Sequence, residues 1–138
     1  NAISANIIVE ERDKSGIRFE FIPTEEDFGL LRYKWDLVNK AKLFIGAKHP
    51  SIRRYLGESV NDQYPGIDSP LYYSVLAEVI ASALAFEILK KKFIREGEEG
   101  KLDFETTNNF FHASFTKYLS VAHLSLNDNS KIKQFVKF

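Results

Sequence analysis

The chain has no cysteine and no methionine, only three histidines, and no excess of charge of either sign. The lack of cysteine excludes disulfides, zinc ribbons, thiol nucleophiles and iron–sulfur ligation. Nineteen basic residues balance nineteen acidic ones. Nucleic-acid binders usually carry a basic excess, so the whole-chain charge argues against that class. The sequence holds no GxGxxG, GxxxxGK[ST], HExxH or GxSxG motif and no EF-hand loop, so the usual phosphate, zinc, serine-hydrolase and calcium signatures are missing. No internal repeat or low-complexity segment is present. The opening "NAISANIIVE" lacks the basic start and sustained apolar core of a signal peptide. The absence of methionine and the pair Asn1-Ala2 point to a domain excised from a longer protein, with residues 1–2 left from a cleaved tag.

What remains is ample for a core. The chain has 138 residues, 44% of them hydrophobic and 14% aromatic, with twelve phenylalanines. Residues 3–138 are therefore expected to form one domain. The longest apolar stretch, Leu71 to Leu89, contains Glu78 and Glu87. A bilayer would penalise both carboxylates, so the stretch reads as a buried helix of a soluble, cytoplasmic domain with no membrane partner.

The first half reads as strands. "ANIIVEE" precedes the turn former "DKSG". In "IRFEFI" the apolar Ile17, Phe19 and Phe21 alternate with Arg18 and Glu20, and "LRYKWDLV" alternates in the same way. After "NKA", "KLFIG" reads as a short returning strand. The second half reads as helices. "PSIRRYL" is short and has Pro50 in its first turn. A long helix runs from about Leu71 to Arg95, capped by Asp68 or Ser69, and another runs from Thr106 or Thr107 to Leu126. "KIKQFVKF" reads as a tail or an extra edge strand. Strands followed by helices predict an α+β domain: an antiparallel meander of about four strands, then a short helix and two long helices on one sheet face.

Three residues stand out as a candidate polar site: His49, Glu78 and His112. His49 precedes Pro50, which favours extended geometry at a strand-to-helix corner, and no helical ligand pair accompanies it. Glu78 lies in a stripe with Ser74 and Ser82, either at a solvent edge or buried against a partner such as Arg53 or Arg54. His112 and His123 fall roughly 16 Å apart along one helix, too far to share a metal ion. A metal-dependent hydrolase built on His49, Glu78 and His112 is one alternative. A nucleic-acid module using Arg53, Arg54 and Lys90–Lys92 is another. Arg53 and Arg54 also read as an anion or salt-bridge pair. No cofactor or metal is expected.

The residues Ile45, Gly46, His49, Pro50, Tyr55, Leu56, Ala77 and Glu78 carry a resemblance. In "LFIGAKHPSIRRYLG" an apolar strand ends in an HP turn and a short helix, and the Ala/Leu-rich "VLAEVIASAL" follows. The pattern resembles an accessory domain of large bacterial proteins that carry an Hsp90-like, histidine-kinase-type ATPase module, with Gly46 where that pattern has Asn. The resemblance covers residues 43–89 and assigns no catalytic residue. It implies a domain downstream of the nucleotide-binding part.

The expectation is therefore a non-catalytic accessory or interaction domain of a prokaryotic protein. It would contact other domains of its parent or a second copy, using the aromatic supply of Tyr72, Tyr73, Phe110, Phe111 and Phe115.

Overall fold

The structure is a computed structural model and describes residues 3–7, 17–39, 41–96 and 103–127. The expected tag remnant, the "DKSG" turn and the "KIKQFVKF" tail lie outside these residues. The elements are β1 (Ile3–Ile7), β2 (Ile17–Thr24), β3 (Tyr33–Trp35), β4 (Lys42–Gly46), α1 (Pro50–Leu56), α2 (Pro70–Glu96) and α3 (Phe104–Asn127). The fold is α+β, as expected, but its sheet is not a meander.

The strand order is β1-β2-β4-β3, and β2 pairs with β4 in parallel. The chain leaves β2, skips one strand position, descends as β3 at the edge and returns as β4 in the vacant slot. β1–β2 and β3–β4 remain antiparallel. Residues 25–32 separate β2 from β3, and a connection of that length does not force neighbouring strands together as a two-residue hairpin turn does. The β3–β4 turn is short, and Asp36 organises it. Its Oδ1 accepts hydrogen bonds from the amides of Val38 and Asn39, which ends β3 at Trp35. Leu31 and Leu37, expected to extend the buried face of this strand, are exposed.

Period-two alternation selects the buried face. Phe19 and Phe21 of β2 and Leu43 and Ile45 of β4 are buried, and Tyr33 and Trp35 of β3 pack beside them. In-register pairing aligns Phe21 with Leu43 and Leu43 with Trp35. Phe19 and Trp35 meet with ring centroids 5.7 Å apart, a favourable tilted contact.

Each helix starts on a side-chain cap. Pro50 and Pro70 occupy first-turn positions of α1 and α2, where a missing N–H is harmless. Ser69 Oγ accepts from the Leu71 amide at 3.2 Å. α3 begins at Phe104, earlier than Thr106, because Asp103 is its cap; its Oδ1 accepts from the Thr106 amide at 2.7 Å. Ile52, Leu56, Tyr72, Leu76, Ile80, Tyr118, Val121 and Leu126 carry the helices into the sheet-side core.

By length and composition α2 is apolar enough to cross a membrane, but half of its most apolar window is buried inside the protein.

Candidate functional site

The parallel pairing of β2 and β4 brings the segments after both strands to the same end of the sheet. Ligands of open α/β sheets collect outside the carboxyl ends of parallel strands, which makes this end the candidate site. Glu25, the first residue after β2, meets Arg53 of α1. Arg53 Nη2 donates to both carboxylate oxygens of Glu25 at 2.8 Å. Arg53 Nε donates to the Ala47 carbonyl at 3.0 Å, which fixes the turn leaving β4. The Tyr64 hydroxyl donates to Glu25 Oε2 at 2.7 Å. Tyr64 belongs to the loop between α1 and α2, so one carboxylate ties three separate segments together.

The electrostatics follow from these bonds. The Tyr64 hydroxyl, and then Arg53, hold the Glu25 carboxyl below its ordinary value. Burial, and then the bond to Glu25, push the Tyr64 phenol up to about 12. Of the two arginines expected to form an anion or salt-bridge pair, Arg53 is committed to Glu25. Arg54 is exposed and lies 6.0 Å from the Tyr55 ring.

Next to this latch lies a cleft of about 240 Å³. Glu26, Asp27 and Phe28 line one side; Lys48, His49 and Pro50 line the other. His49 is half-buried and serves as the N-cap of α1. Its Nδ1 accepts from the Ser51 amide at 3.2 Å and lies 2.9 Å from the Ser51 hydroxyl. Its backbone is extended, with φ −63° and ψ 131°, as a residue before proline requires. "HP" is therefore a corner and a cap. Three buried side-chain polar atoms lack a partner among the described residues, Trp35 Nε1, Tyr72 Oη and Ser125 Oγ, and none lines this cleft.

The other expected site residues stand elsewhere. Glu78 is exposed on α2 and is not the partner of Arg53. His112 is exposed on α3, against the edge of Phe111. Among the described residues, no three His, Asp or Glu side chains are grouped as a metal-ligand set. Glu87 lies opposite Glu78 on the helix and is half-buried. Its charge adds to burial in raising the Tyr33 phenol. Lys91 sits roughly 30 Å along α2 from its first turn, the end that continues from α1, so Arg53, Arg54 and the lysines do not form one basic stripe.

The expected aromatic surface is also redistributed. Tyr72 is fully buried, and Tyr73 is half-buried with its hydroxyl directed at Asp68. Phe110, Phe111 and Phe115 are half-buried along the α2–α3 seam, where Phe111 meets Phe86 at 4.7 Å between centroids and Lys92 Nζ lies 4.8 Å from the Phe110 ring. The exposed large apolar side chains are different ones. Phe86, Phe93 and Ile94 on α2 are 50%, 53% and 65% exposed, and Phe104 at the start of α3 is 85% exposed. Phe93, Ile94 and Phe104 lie in the last turns of α2 and the first turn of α3, and Phe86 lies about 10 Å further back along α2 than Phe93. Helical periodicity could have marked Phe86 and Phe93 as lying on the Glu78 stripe, because 78, 82, 86 and 93 fall on one side of a 3.6-residue helix. The chain matches no protein-family model, no curated protein and no solved structure.

Proposed function

We propose that the domain is a non-catalytic interaction module and that its working surface is formed by exposed apolar side chains of the second half of α2 and the start of α3. The observation that carries this reading is the exposure of Phe86, Phe93 and Ile94 on the second half of α2 and of Phe104 at the start of α3. An aromatic side chain offers roughly 150–250 Å², so the three half- to mostly-exposed phenylalanines alone present on the order of 400 Å² of carbon. The largest apolar patch of a folded monomer is about 300–600 Å² and is often functional. By contrast, the cleft beside His49 is lined largely by exposed side chains, and the one histidine in it is occupied with capping. Placement within a larger prokaryotic, cytoplasmic protein bearing an ATPase module is part of the same proposal. It rests on the resemblance carried by residues 43–89.

The test separates a contact surface from a core. Replacing Phe93, Ile94 and Phe104 together by serine should leave the unfolding temperature nearly unchanged, since surface substitutions fall within about 0.5 kcal/mol each. The same variant should lose binding of an apolar fluorescent dye by the native protein. A loss of stability near the roughly 3–5 kcal/mol of a core phenylalanine would show that these side chains hold the fold together, and would overturn the reading.

A further inference from the structure

We infer that the outer edge of β3 is a second interaction surface, and that its occupant is β3 of a second copy of this chain, antiparallel across a two-fold axis at Lys34. The surface is separate from the exposed side chains of α2 and α3, so its failure would leave that contact surface untouched. β3 is the last strand in the order β1-β2-β4-β3. On its inner side the Arg32 carbonyl accepts from the Gly46 amide, and the Asp36 amide donates to the Lys42 carbonyl. Alternation in an antiparallel ladder then turns the N–H and C=O of Tyr33 and Trp35 to the outer edge. Among the described residues, no strand pairs with that edge. α3, the last described element, packs against β1 at the opposite edge of the sheet. An open row of backbone groups is a template for one more extended strand.

The sequence around Lys34 is symmetric in character, and this selects the second copy. Outward from Lys34 the residues come in matched pairs: the aromatic Tyr33 and Trp35, the oppositely charged Arg32 and Asp36, then Leu31 with Leu37 and Leu30 with Val38. A two-fold axis sets each residue against its counterpart in the other copy. Tyr33 and the partner's Trp35 exchange their free backbone groups, and the reciprocal pair does the same. Arg32 faces the partner's Asp36 on the outer face of the sheet, at both ends. Leu30, Leu31, Leu37 and Val38 are 95%, 61%, 84% and 94% exposed, and the same axis brings the leucines before β3 to the apolar pair that follows it in the partner. The two Lys34 side chains come side by side, which is unfavourable. Each has a Glu26 carboxylate 4.0 Å away, and the two Arg32–Asp36 contacts flank them. An unrelated strand would need this order of charged and apolar positions in reverse; a second copy supplies it by symmetry.

The chain has no cysteine, so a single introduced thiol reports on the pairing. At the axis the two residues 34 form a non-hydrogen-bonded pair with Cα atoms about 4.5 Å apart, within the span of a disulfide. Lys34→Cys should therefore form a disulfide dimer in a glutathione redox buffer. Arg32→Cys should not crosslink under the same conditions, because its two copies lie roughly 14 Å apart along the paired strands. Sedimentation equilibrium of the wild-type chain should show a reversible monomer–dimer equilibrium. Leu37→Lys, at an exposed position, should weaken it by about tenfold or more by burying an unpaired charge. A wild type that stays monomeric into the millimolar range would overturn the inference. So would a dimer indifferent to Leu37→Lys, or Lys34→Cys that crosslinks no faster than Arg32→Cys.

Discussion

Arg53 and Glu25 are twenty-eight positions apart in sequence, yet one guanidinium nitrogen lies 2.8 Å from both oxygens of the carboxylate. The contact exists because β2 and β4 run parallel side by side, which delivers the residues that follow each strand to the same place. Tyr64 completes it from the loop before α2. The latch thus reports on sheet order, on the seat of α1 and on the α1–α2 loop together.

Its pH dependence has a defined sign at each end. Glu25 has a carboxyl held below its ordinary value near 4.5. Its contribution to stability is present above that value and is lost as pH falls through the lower, folded-state value. Tyr64 is raised from 10 to about 12, so its contribution is complete below pH 10 and disappears as pH rises through about 12. Thermal unfolding followed across pH should show Glu25→Gln flattening the acid limb and Tyr64→Phe flattening the alkaline limb. The double variant should cost less than the sum of the singles, since both remove the same bond.

Gly66 should be the least replaceable glycine. Its amide donates to the Leu56 carbonyl at the end of α1. A Cβ there would fall on the Tyr55 carbonyl oxygen and press on Leu56 Cα, both of them backbone. Because helix backbone cannot swing away like a side chain, Gly66→Ala should destabilise by roughly 3 kcal/mol or more, at the strained end of point mutations. Denaturant unfolding measures this directly.

His49 should behave as a cap. His49→Ala should cost about 0.5–2 kcal/mol, and His49→Asn should recover most of it, because asparagine is among the best N-cap residues. A calorimetric zinc titration of the wild type and of His49→Ala completes the test. Stoichiometric binding lost in the variant would assign the ring a ligand role in addition to the cap.

Tyr72 is fully buried, its hydroxyl has no hydrogen-bond partner among the described residues, and burial drives its phenol far upward. Tyr72→Phe keeps the ring and removes the unmet hydroxyl. It should be neutral or stabilising by up to about 1–3 kcal/mol, the penalty of an unsatisfied buried polar group. Chemical denaturation at neutral pH gives the sign.

Much of this molecule was determined locally, and that part is readable along the chain. Alternation in "IRFEFI" and "KLFIG" placed Phe19, Phe21, Leu43 and Ile45 inward, because successive strand side chains point to opposite faces whatever the neighbours are. Pro50 and Pro70 marked helix starts, and Pro50 forced His49 into the extended backbone of a cap, because these are constraints within a few bonds. Tertiary structure alone decided the strand order, and with it the parallel β2–β4 pair and the meeting of Glu25, Arg53 and Tyr64. An alternating strand presents the same face to either neighbour, so its sequence does not name the strand beside it. The division of the aromatics was likewise a tertiary outcome. Tyr72 and Phe93 both belong to one apolar helix, and only the seating of α2 against the sheet and α3 buried the first and left the second in water.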